Sequence, residues 1–136
     1  MQSKGPFLAT YGTLMRAFGR QKALGVADAL SFEGGCTFRG ALHDLGAYPG
    51  AVPGEGTVQA ELFRLPAAAD WDVLDRYEGY DPGVPSRSLF VRRPTQLLSP
   101  DTTAWVYWYT GPIEGHPRVP KGDWRAYVES TGEDGQ

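Results

Sequence analysis

Glycine and proline cut this chain into short pieces, and that limits what it can fold into. The 18 Gly and 11 Pro leave no run free of both longer than 12 residues (67–78), too short for a bundle of long helices. Such spacing favours many short strands joined by turns. No internal repeat or low-complexity tract interrupts the pattern.

Within those pieces the apolar residues place the elements. Pro6 to Tyr11 reads as a strand that ends at Gly12, and Met15 to Leu24 carries a faint helical pattern. Cys36 to Leu42 alternates as a second strand running on to Asp44, and Leu45 to Gly50 is rich in turn residues. Thr57 to Leu65 is a third strand. Pro66 suits the first position of a helix that continues to Glu78. Phe90 to Arg93 and Thr95 to Leu98 are separate strand candidates. Ala104 to Tyr109 is apolar or aromatic on both alternating faces, which predicts a strand covered on both sides or lining a barrel. Its aromatics suit core packing or a pocket wall, with Tyr109 the candidate for the wall. A short turn follows Asp123. The expected fold is α+β: a small mixed or antiparallel β-barrel-like sheet of about six strands flanked by a few helices.

A chain of 136 residues is one domain, expected over 1–128 with a small, acidic, flexible tail over 129–136. Net charge is -3, which argues against a nucleic-acid partner or an anionic membrane surface, both of which attract a basic face. No run approaches a membrane span, and no signal-like apolar segment opens the chain. Cys36 is the only cysteine, so no internal disulfide forms and a reducing cytoplasm is expected. With His43 and His116 as the only histidines, no zinc-like ligand set exists and no metal is expected.

One charge is out of place. On a helical wheel from Trp71, Val73, Tyr77 and Leu74 fall at about 200–300°, while Asp75, Asp72 and Arg76 fall at about 40–140°. Glu78 falls at about 340°, between Leu74 and Trp71 on the apolar side. Burial there raises a carboxyl pKa, and the carbonyl dipoles of a helix ending at Gly79 act in the same direction. A carboxylate so raised is a good proton acceptor near neutral pH. The same position also suits a Glu that bends to water or pairs with an Arg, and the pattern alone leaves both open.

Tyr11-Gly12-Thr13-Leu14 stands at the exit of the first strand. A Gly there makes a plain turn, or lets successive N–H groups point into one space as a cradle for a carboxylate or oxyanion. In order and spacing, the chain from Phe7 to about Tyr127 resembles the γ-glutamylcyclotransferases, especially their γ-glutamylamine cyclotransferase-like branch. The resemblance is carried by Tyr11 to Leu14, Gly40 to Gly50, Gly56 to Leu65, Leu74 to Tyr80, the aromatic strand to Tyr109, and Gly122-Asp123-Trp124. It implies that Tyr11, Gly12, Thr13 and Leu14 bind the substrate's glutamyl head through backbone groups. It implies equally that Glu78 is the catalytic acid/base. The family often has a Tyr beside an Arg after this helix; here Phe90-Val91-Arg92 lacks the hydroxyl. The stretch from Tyr80 to Ser88, with Pro82 and Pro85, is expected to shape a lid.

The implied reaction is release of 5-oxoproline from a small γ-glutamyl amine or peptide, with no cofactor. The rival readings are a non-catalytic module that binds an amino acid or peptide end, a cyclotransferase that removes a γ-glutamyl protecting group in biosynthesis, and a structural or interaction protein.

Overall fold

A computed structural model describes residues 6–15, 18–25, 29–66 and 71–132. Five strands form one mixed sheet: β1 (Phe7–Thr10), β2 (Ser31–Asp44), β3 (Pro49–Arg64), β4 (Phe90–Gln96) and β5 (Thr103–Tyr109). Among the described residues three α-helices accompany it: α1 (Arg20–Ala23), α2 (Asp72–Glu78) and α3 (Trp124–Gly132). The strand order is β2-β3-β1-β5-β4. All pairs are antiparallel except β1 with β5, which is parallel through Leu8 and Trp105.

The long hairpin of β2 and β3 turns over residues 45–48, where the Gly46 N–H donates to Asp44 Oδ1 at 2.8 Å. The turn is shorter than the loop expected from the sequence, because Pro49 and Gly50 already belong to β3. Successive residues of a strand face opposite sides, and the core divides accordingly. On one face Ala9, Phe38, Val58 and Val106 pack with Trp124 of α3. On the other Leu8, Phe63, Phe90 and Tyr107 pack with Leu74 of α2. Strand β5 supplies buried side chains to both faces, as its two-sided apolar pattern predicts.

Four expectations are corrected. The barrel does not close: β2 and β4 are the two edges of the sheet, and among the described residues the backbone link between them runs through the loop after β4. There the Thr37 N–H donates to Ser99 O at 2.8 Å and the Leu98 N–H to Thr37 O at 2.8 Å. The two candidate segments over 90–98 are one strand, because Pro94 lies in an edge strand, where a missing N–H is tolerated. Pro66 does not open α2, which begins at Asp72; residues 67–70 lie outside the described residues. The C-terminal turn is a helix, α3, held by Trp124 in the core and by Tyr127, whose hydroxyl donates to Asp44 Oδ2 at 2.7 Å. It extends to Gly132, into the segment expected as tail. Of the Met15 to Leu24 pattern, α1 realises Arg20–Ala23, and residues 16–17 are outside the described residues.

Candidate active site

Where β1 ends, the chain turns within three residues, and the Met15 N–H donates to Gly12 O at 3.0 Å. Gly12 is required by close approach: a Cβ there would stand 2.9 Å from both Cδ and Cγ of Pro49. The N–H groups of Gly12, Thr13 and Leu14 donate to no other described residue. Leu14 itself anchors the turn, its side chain buried among Leu8, Phe63 and Leu74.

Helix α2 ends beside this turn. Gly79 adopts the left-handed conformation that stops a helix (φ 71°). Tyr77 ties the two elements together, its hydroxyl sharing a 2.5 Å hydrogen bond with Thr13 Oγ1. Between them lies a pocket of about 230 Å³ whose walls include Tyr11, Gly12, Thr13, Leu14 and Glu78. All five residues singled out in the sequence therefore meet in one cavity. Tyr48, Pro49, Leu89, Phe90 and Tyr107 complete much of its wall.

Glu78 is half-buried in that wall, and no hydrogen bond or ion pair to a described residue engages its carboxylate. Burial pushes its pKa up to about 8, and the negative charge of Asp75 one turn earlier adds to the effect. The Arg partner that a purely structural Glu would take has gone elsewhere. Arg92 of β4 donates from Nε and a terminal nitrogen to the two oxygens of Asp75, at 2.9 and 3.1 Å.

Asp75 is the residue that the sequence reading misplaced. The wheel put it on the solvent face and Val73 on the apolar one; in the structure Asp75 is 5% exposed and Val73 36%. The buried arc is rotated towards Leu74, Glu78, Trp71 and Asp75. It tolerates Asp75 because Arg92 and the Tyr107 hydroxyl, at 2.6 Å, satisfy its oxygens. The signal was present: Asp75 stands only about 40° from Trp71 on the wheel, and Arg92 lies on the next strand.

The other walls are rigidly placed. Tyr11 donates from its hydroxyl to the Tyr107 carbonyl at 2.5 Å and accepts from the Ala51 N–H at 3.1 Å. Burial, with Glu78 nearby, holds its phenol well above the usual range. Tyr107 is raised in the same way, by burial first and then by its bond to Asp75. Both phenols are neutral near pH 7. Tyr107, rather than the expected Tyr109, is the wall residue of β5; Tyr109 packs against Phe90 at 5.5 Å between ring centres. Thr10 also lines the pocket, and its Oγ1 is buried with no hydrogen-bond partner among the described residues. Among the described residues the expected lid over 80–88 contributes nothing to the wall, which takes Leu89 and Phe90 just after it. No group of three or more His, Cys, Asp or Glu among the described residues is placed to hold a metal ion. No helix among them is long and apolar enough to cross a membrane.

An open mixed sheet whose central strand exits through a glycine turn, facing a carboxylate on a packed helix that no described residue pairs, defines a class of small α+β domains with a pocket beside the central strand. Residues 8–126 match the family described as gamma-glutamyl cyclotransferase, AIG2-like, and the chain belongs to that family. Over 85 residues it is 40% identical to the gamma-glutamylcyclotransferase family protein YtfP of Escherichia coli (strain K12), a stretch covering 61% of this chain and 66% of that one. The match thus spans a little under two thirds of the relative's length. The solution structure of YtfP from Escherichia coli aligns with a TM-score of 0.60 at 28% identity, covering 87% of this chain and 95% of that one. An AIG2-like protein of Mus musculus aligns with a TM-score of 0.64 at 21% identity, over 90% of this chain and 95% of the other, and shares the fold.

Proposed function

We propose that the protein is a cofactor-independent γ-glutamyl cyclotransferase that releases 5-oxoproline from a γ-glutamyl amine or peptide, with Glu78 as general acid/base. The observation that carries this reading is a raised carboxylate, without a hydrogen bond or ion pair to any described residue, in one pocket with Gly12, Thr13 and Leu14, whose N–H groups donate to no other described residue. A γ-glutamyl compound holds its own nucleophile, the α-amine, within ring-closing reach of its γ-carbonyl. Glu78 takes a proton from the α-ammonium, and the freed amine attacks the carbonyl carbon. The five-membered lactam forms as the bond to the acylated amine breaks. Glu78 returns protons to the departing nitrogen, so the lactam keeps one N–H and the amine leaves with the protons the α-nitrogen lost.

A base near pKa 8 suits this exchange, because it neither binds nor releases its proton too firmly near neutral pH. The N–H groups of Gly12 to Leu14 hold the α-carboxylate or the developing oxyanion. The walls fold the flexible glutamyl chain towards its ring-closing conformer. Cys36 is no rival nucleophile: it is buried on the opposite sheet face, where burial and the nearby Glu61 push its thiol up to about 12. A free buried thiol also fits work in the reducing cytoplasm.

The test is 5-oxoproline release from γ-glutamyl amines, γ-glutamyl dipeptides and glutathione by wild type and Glu78→Gln. Loss of a general acid/base costs about 10²–10⁴ in rate, so at least a hundredfold drop is expected. Turnover that survives the substitution removes Glu78 from the role. Binding without any turnover leaves a recognition module in its place.

A further inference from the structure

Asp75 is a buried carboxylate that the reaction does not use. It lies three residues before Glu78 on the same helix, so the two side chains neighbour each other on one face. Three donors hold it still: Arg92 through two nitrogens and Tyr107 through its hydroxyl. Arg92 is immobilised in turn. Its guanidinium carbon lies 4.0 Å from the Trp71 ring centre, 4.9 Å from that of Trp105 and 5.7 Å from that of Tyr80. Tyr107 belongs to the pocket wall as well as to this cluster. A charge fixed so firmly beside the pocket acts on Glu78 with a constant field.

We propose that Asp75, locked by Arg92 and Tyr107, is a positioning residue that sets the pH range in which Glu78 exchanges its proton. Removing the Asp75 charge relieves repulsion at Glu78 and leaves the Arg92 cation uncompensated. Both changes favour ionised Glu78. The other groups facing the pocket do not substitute for Asp75. Tyr11, just after β1, and Tyr107 from β5 are neutral phenols there, as their upward shifts require. Among the described residues, Tyr48, from the turn between β2 and β3, and Tyr77 of α2 are the remaining phenols of the wall, and Arg76 is its one cation. Tyr80 belongs to the cluster around Arg92, and Glu61, buried opposite Thr10 in β3, lies outside the wall. Asp75 is therefore the negative charge that Glu78 meets at short range.

This inference rests on the acid/base reading of Glu78, and two measurements separate the two. The first is the pH profile of kcat/KM for 5-oxoproline release by wild type and Asp75→Asn. The acid limb is expected to move down by at least one pH unit, raising kcat/KM at pH 6 about tenfold relative to its plateau. A folded variant whose activity falls while the limb stays put overturns the proposal and leaves Asp75 a purely structural residue. The second needs no substitution and no substrate: carboxyl ¹³C NMR titration of the wild-type protein. The Asp75 Cγ resonance is expected to carry an inflection at the pH where Glu78 Cδ titrates. Its absence overturns the coupling, whether or not Asp75→Asn folds. Its presence in a protein that makes no 5-oxoproline would sink the cyclotransferase reading and keep the coupling.

Discussion

Glu78 costs the folded protein stability in its charged form. Its pKa is raised from about 4.5 in the unfolded chain to about 8 in the fold. Between those values the folded state binds more protons than the unfolded one, so stability is greatest below the lower value and is lost as pH rises through the upper. Glu78→Gln removes that dependence. The variant is expected to be more stable than wild type by about 3–5 kcal/mol at pH 9, with the gain vanishing below pH 5. Urea denaturation across that range reads it directly. A constant difference at all pH values would show that packing, rather than charge, separates the two proteins. This residue was visible in the sequence because one Glu broke a helical pattern. Asp75 was not, because its burial depends on Arg92 and Tyr107, which reach it from other strands. Local periodicity put Asp75 near Trp71 but could not show the partners that let it stay buried.

At the level of elements, the glycine turn and α2 work as a pair because each has little room to move. The turn is wedged against Pro49, and Tyr77 bonds it to the helix. Gly12→Ala forces one side of that wedge to give way. The expected result is a loss of about 1–3 kcal/mol of stability, together with a KM at least tenfold higher for a γ-glutamyl substrate. Steady-state kinetics and thermal melts on the same preparation check both; an unchanged KM would mean that the turn does not touch the substrate. The turn itself was legible from Tyr11-Gly12-Thr13-Leu14, and α2 from its apolar stripe. The start of α2, the continuity of β4 through Pro94, and Tyr107 as the wall of β5 were not. Each depends on where a strand lies in the sheet, edge or centre, which neighbouring residues do not encode.

The whole molecule separates support from chemistry. Phe38 is fully buried on the face away from α2, with its ring 5.3 Å from Trp108 and 5.9 Å from Tyr11. Truncation to Ala is expected to cost about 3–5 kcal/mol, while kcat for 5-oxoproline release stays within a fewfold of wild type. Chemical denaturation and steady-state assay decide this, and a collapse of kcat in a folded variant would show that the two faces are coupled through Tyr11. The fold class followed from glycine and proline spacing and from the two-sided aromatic strand. Barrel closure did not, because it turns on one contact between distant edges. The placement of β1 between β3 and β5 has a consequence for how the protein comes into being. The turn after β1 and the carboxylate of α2 leave the ribosome before β5, and the wall that Tyr107 provides, with the carbonyl that holds Tyr11, arrives only with that strand. Between the synthesis of Glu78 and that of Tyr107, a nascent chain therefore carries the turn and the carboxylate of its pocket without the frame that aligns them. Pairing so distant in sequence is also slow to form, so competence arrives late and all at once, with the last strand.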